Sequence, residues 1–266
     1  WKALVLLLSL GALHACGGGG GDDKTDANPN GYYGNTGTAD VKAANDTDPL
    51  SITDLQGMIH GDQFIMLSEA KHLAYHGTIA VSGSSFTGSV IVYQDGVGNA
   101  TPVPISGSIS QGQFIEGMLG GTGAGNGTFR LTYDSTANGV EVKNADLILP
   151  VPGWRSVSYV NFFTVFVDSV AVGDNISHHN QPYGGTFNEC NFSGRIDPIA
   201  THLYALSVQM TNCTISGTID PNTAVLANPT YSGLATLRTE TTSNDRLVFT
   251  ISNGAYSVSG EFKNAP

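Results

Sequence analysis

Charge is scarce in this chain. Asp, Glu, Lys and Arg make up 12% of its 266 residues, against about a quarter in ordinary globular proteins. Cations are scarcer still: 11 Lys and Arg face 22 Asp and Glu, for a net charge of −11. So few cations leave no electrostatic footprint for nucleic acid or for anionic lipid headgroups, so neither is expected as a partner through charge. Catalytic signatures are missing as well. There is no His-Glu-x-x-His pair for zinc and no nucleophile elbow of the G-x-S-x-G form. The glycine-rich stretch Gly120–Gly127 lacks both phosphate-loop spacing and the lysine that would reach a phosphate, and reads as a hairpin loop. Acidic residues such as Glu69, Glu116, Glu141, Glu189 and Glu261 are scattered, without the pairing a glycosidase needs. The sequence therefore predicts no enzyme and no cofactor.

What is present is glycine, 34 residues of it, with abundant Ser, Thr and Asn. This is the makeup of an all-β protein with many turns. Runs of period-2 alternation follow one another at short intervals: 55–59, 63–68, 73–82, 85–94, 103–110, 113–119 and 127–133. Phe129, Leu131 and Tyr133 alternate with Thr128, Arg130 and Thr132, one dry face and one wet. Gly61-Asp62, Ser82-Gly83-Ser84, Asp95-Gly96 and Gln111-Gly112 supply the turns. Such spacing predicts an antiparallel meander, a small barrel or a sandwich-like sheet, over residues 31–137. Residues 138–154, with Pro150 and Pro152, read as a boundary. A second meander is predicted over 155–266, with a hairpin of 187–196 and 204–216 turning near Thr201-His202. Strands at 231–238, 246–252 and 255–262 follow, and Leu247, Phe249 and Ile251 are expected to point inward.

A repeat runs through both halves: large apolar, small polar or His, Gly, any residue, apolar. It reads Tyr75-His76-Gly77-Thr78-Ile79, Phe86-Thr87-Gly88-Ser89-Val90, Ile105-Ser106-Gly107-Ser108-Ile109, Phe192-Ser193-Gly194-Arg195-Ile196, Ile215-Ser216-Gly217-Thr218-Ile219, Tyr231-Ser232-Gly233-Leu234-Ala235 and Val258-Ser259-Gly260-Glu261-Phe262. A glycine sharing its face with two large residues suits a strongly curved strand, with room for an aromatic ring over bare backbone. The repeat is architecture rather than a binding signature.

The N-terminus carries a different message. Leu4 to Leu13 form an apolar run after Lys2, too short to cross a bilayer but of signal-peptide length. Leu13-His14-Ala15-Cys16-Gly17 resembles the lipobox of a bacterial lipoprotein. The resemblance implies a signal peptide over 1–15, cleavage before Cys16 and acylation of that cysteine, including the palmitate-type chains of a triacyl anchor. Several chains, at about 0.8 kcal/mol per buried CH₂, hold where one would be marginal. The chain opens on Trp1, and a further basic stretch is expected ahead of it. Residues 16–30 then read as the lipidated cysteine and a flexible, solvated tether, led by Gly17–Gly21. With Cys16 assigned to lipid, Cys190 and Cys213 are left as an even pair in an oxidising compartment, and a disulfide is expected.

Lipobox, tether, the Gly31-Tyr32-Tyr33-Gly34 start, Gly127-Thr128-Phe129-Arg130-Leu131-Thr132-Tyr133-Asp134 and the paired-cysteine unit together resemble uncharacterised lipoproteins of Gram-negative proteobacteria. In such proteins an Asp after the lipidated Cys implies inner-membrane retention. Gly17 stands there, so the resemblance implies the outer membrane, on its periplasmic face or at the cell surface. The expected role is non-enzymatic, binding an envelope or extracellular protein or organising the envelope. The alternative is a lipocalin-like carrier of a small ligand inside a barrel, which needs inward positions left unfilled. His72 and His76 stand four apart, and His60 or Glu69 could join them at a metal. Without a fuller motif they read as surface histidines. His178-His179 reads as a solvated loop.

Overall fold

A computed structural model describes residues 25–94, 97–139, 154–160, 175–179, 191–211, 230–238 and 246–264. The strands of the first half are β1 (Gly31–Lys42), β2 (Pro49–His60), β3 (Gln63–Ser68), β4 (Leu73–Ser82), β5 (Ser85–Gln94), the short β6 (Val97–Gly98), β7 (Val103–Ser110), β8 (Phe114–Gly120) and β9 (Asn126–Thr132). They run antiparallel in the order β4-β3-β2-β1-β9-β8-β7-β5, and β4 pairs with β5 to close the ring. The result is an eight-stranded up-and-down barrel, which leaves no sheet edge open. A short helix, α1 (Ser135–Gly139), follows β9. Asp134 caps it, its carboxylate accepting from the Ala137 amide at 2.9 Å.

The barrel core follows from the predicted alternation. Ile105, Ile109, Ile115, Leu119, Phe129 and Leu131 point in and are buried. One inward row reads across the strands as Phe86, Gly107, Gly117, Phe129 and Ala39. Its two glycines leave bare backbone at the centre. Phe64, from the opposite wall, stacks on Phe86 at 6.1 Å and meets Phe129 at 5.9 Å. The barrel axis is thus occupied by aromatic rings. The repeat glycines also sit where strands press together: a methyl at Gly77, Gly88, Gly107 or Gly233 would lie 1.8–2.0 Å from a carbonyl oxygen of the neighbouring strand.

Both barrel ends are crossed by chain. At one end lie residues 25–30, which the sequence reading placed in a solvated tether. They are docked instead. The Asp26 carboxylate accepts from the Gly83 amide at 2.7 Å, and Ala27 donates its amide to the Gly83 carbonyl at 2.8 Å. Asn28 donates its amide to the Gln111 side chain, and Asn30 accepts from the Gly61 amide. Ala27 packs on the core, and the Pro29 carbonyl accepts the buried Tyr33 hydroxyl. Turn amides that would otherwise face water are the partners that hold this strap. At the other end the Ala124 carbonyl accepts the Tyr75 hydroxyl at 2.9 Å, and Asp46 accepts from the Gly123 amide.

The second half forms a separate sheet from β10 (Trp154–Val160), β11 (Asn175–His179), β12 (Asn191–Ala200), β13 (Leu203–Thr211), β14 (Thr230–Arg238), β15 (Arg246–Ser252) and β16 (Ser257–Asn264). Its order is β10-β16-β15-β14-β13-β12-β11, all antiparallel. The predicted hairpin is β12 with β13, turning at Thr201-His202. His178 and His179 lie in β11, so the loop reading is corrected there; they pair with Phe192 and Asn191. Leu247, Phe249 and Ile251 are buried, as their alternation predicts. Val248 and Thr250 between them are just as buried, because this sheet has no wet face along β15. One of its faces lies on the outside of the barrel. The fold is all-β, a barrel with a second sheet laid on its flank.

Candidate functional site

The outer wall of the barrel has two unlike sides. On β1–β5 the outward residues form two rows, Tyr32, Met58, Ile65, His76 and Ile91, and Gln56, Leu67, Ala74 and Tyr93. Leu203, Leu234 and Val248 of the second sheet cover them. On β7, β8, β9 and β1 the outward rows are Ser108, Glu116, Arg130 and Thr38, and Ser106, Met118, Thr128 and Asp40. Apart from Met118 these are polar, and solvent reaches them. Above the Gly107–Gly117 floor they line a groove of ≈ 510 Å³.

In that groove Arg130 bonds Glu116 at 2.5 Å and lies over the Phe114 ring, 3.7 Å from its centroid. Both charged partners are about half exposed (48% and 45%), so the pair positions groups more than it stabilises the fold. Met118, two residues along, is 61% exposed, one of two large hydrophobic side chains so placed among the described residues. Hydroxyls, one ion pair and one bare thioether make a surface that can bind.

The predicted site residues fare differently. Cys16, Cys190 and Cys213 lie outside the described residues. His72 stands in the turn before β4 with φ 52°, and its amide donates to Glu69. His76 is inside β4 and is 8% exposed, which corrects its reading as a surface histidine. Its ring points away from the barrel into the second sheet: Nε2 is 2.8 Å from the Thr250 hydroxyl and 3.1 Å from that of Ser257. Thr250 in turn contacts the Ser259 hydroxyl at 2.6 Å. Tyr93 meets the ring edge-on at 5.3 Å. Burial away from water pushes the His76 pKa down to about 3. His60 sits across the strand ladder by the Gly61 turn, at the other end of the barrel from His72. Among the described residues no three His, Cys, Asp or Glu side chains gather as metal ligands.

The sequence carries a trace of the His76 cluster. The second position of the repeat is Ser or Thr in six copies and His only at 76. In β16 the same position is Ser259, which is linked to His76 through the Thr250 hydroxyl. The groove had no comparable trace, since Ser and Thr at outward positions look like any wet face.

No protein-family model matches the chain, and neither a curated protein nor a solved structure matches it.

Proposed function

We propose that this chain is an outer-membrane lipoprotein, anchored through Cys16, whose role is to bind a partner rather than to catalyse. The observation that carries the binding role is the distribution of side chains around the barrel. Aromatic rings occupy the axis, chain crosses both ends, and the second sheet covers one flank. The groove over Gly107 and Gly117 is then the surface left for recognition. Its exposed Met118 suits an adaptable contact, as thioethers accommodate irregular partners. The filled axis weighs against the carrier reading, which needs inward space. The lipobox-like Leu13-His14-Ala15-Cys16-Gly17 supports the anchor. Polar outward rows on β7–β9 suit a barrel held at the membrane by lipid, because spanning barrels turn apolar residues outward.

Protease shaving of intact cells tests the placement, with a Cys16→Ser chain as the unanchored control. The expected result is a membrane-associated wild type that labels with palmitate and a variant that does neither. Digestion on intact cells would assign an extracellular partner. Protection until the outer membrane is breached would assign an envelope partner. A wild type without lipid would remove the anchor from the proposal.

A further inference from the structure

The interface between barrel and second sheet contains two buried imidazoles, one from each side. His76 interrupts an otherwise apolar outward row between Ile65 and Ile91, and its bonds go to hydroxyls of β15 and β16. His202, in the β12–β13 turn, is 1% exposed and next to Leu203, which packs on Tyr32, Met58 and Ala137. Its Nδ1 lies 3.3 Å from the Leu237 carbonyl, and a carbonyl only accepts, so Nδ1 carries the proton. Its Nε2 is buried with no partner among the described residues. A second proton there would have no acceptor.

We propose that His76 and His202 make the attachment of the second sheet to the barrel acid-sensitive, so that protonating them releases the sheet while the barrel stays folded. The groups that face each ring set the direction. His76 meets Ile65 of β3, Tyr93 of β5, Thr250 of β15 and Ser257 of β16; no charged side chain among the described residues bonds to it. His202 meets the Leu237 carbonyl of β14, with Asp134 nearby. Desolvation lowers the pKa of His202 as well, while Leu237 and Asp134 oppose the shift, so His76 is the stronger of the two.

The sign follows. A histidine held neutral in the closed state takes up its proton only on opening. The closed state is therefore favoured fully above the ordinary pKa of 6.5 and loses ground as pH falls from there toward about 3. For His76 alone the opening constant rises about 70-fold between pH 7 and pH 4.5. The barrel interior, on the far side of the wall, contains no histidine among its core residues.

Amide hydrogen exchange of the full chain at pH 7, 6, 5 and 4.5, corrected for the pH dependence of the intrinsic chemistry, reads this directly. Protection in β13–β16 is expected to fall about 100-fold while β7–β9 changes less than tenfold. A His76→Gln, His202→Gln double variant, which keeps polar contacts but cannot titrate, is expected to lose most of that fall. Unchanged protection in β13–β16, an equal fall throughout the molecule, or an equal fall in the double variant would each overturn the proposal. Should the double variant not fold, the wild-type rings decide: NMR titration of their C2 protons is expected to show both midpoints below the ordinary 6.5, with His76 the lower of the two. Midpoints near 6.5 in the closed state would overturn it.

Discussion

A methyl group at Gly107 would lie 2.0 Å from the Glu116 carbonyl oxygen and 2.8 Å from Cε1 of Phe86. Neither can yield cheaply: one belongs to the next strand's backbone and the other to the ring stack that fills the barrel. Gly107→Ala must push β7 and β8 apart, and is expected to cost about 3 kcal/mol, the upper part of the range for overpacking. Gly112 gives the contrast. It sits at φ +69° with nothing within 4 Å of an added methyl, so Gly112→Ala meets only the left-handed backbone penalty, about 1 kcal/mol. Urea midpoints of the two variants against the wild type check the ordering; equal losses would mean that turn conformation, not strand crowding, fixes these glycines. The repeat was therefore legible as curvature from the sequence. That its one histidine turns outward into a buried interface was not, because alternation says which residues share a face but not what covers it.

Among the elements, β3, β4, β5 and β7 have the bounds their alternation announced, whereas β1 left no such pattern. Its run, Gly31–Lys42, is broken by register shifts between Tyr33 and Gly37 and between Gly37 and Ala39. Each shift moves the inward set out of phase, so a period of two never accumulates. The strap over 25–30 was hidden for another reason: its bonds go to turns 31 to 83 residues away. Composition cannot report partners that distant. The expected disulfide joins Cys190 and Cys213, which lie outside the described residues, just past the Asn191–Thr211 pair that ends the β12–β13 ladder. Alkylation of the unfolded chain is expected to modify neither cysteine before reduction and both after it. Cys190→Ser is expected to cost about 3 kcal/mol, the loop-closure value for this spacing. Free thiols in the oxidised protein would remove the disulfide from the proposal.

At the scale of the whole molecule, two kinds of outer wall decide how the halves depend on each other. The groove side, with Thr38, Ser106, Ser108 and Thr128, tolerates water. The other side does not: Tyr32, Met58, Ile65, Leu67, Ala74 and Tyr93 are all within 1% of full burial although they point out of the barrel. A barrel normally turns such residues inward. Here they are satisfied only because Leu203, Leu234 and Val248 lie on them, and the same contact buries one face of the second sheet. Further ties run at the rim, where Gly98 donates its amide to the Ala255 carbonyl at 2.8 Å. The barrel therefore closes its own hydrogen-bond ladder yet depends on the second sheet to keep its flank dry. Residues 25–139 expressed alone are expected to fold but to self-associate through this patch, since apolar surfaces of several hundred Å² seldom stay bare. Met58→Lys with Ile65→Thr and Leu67→Lys should return that fragment to a monomer, because these side chains contribute nothing to the barrel axis. Light scattering with size-exclusion chromatography distinguishes the outcomes. A monomeric unsubstituted fragment would show that the flank is tolerable in water and that the second sheet is held chiefly by its polar ties at His76 and Gly98.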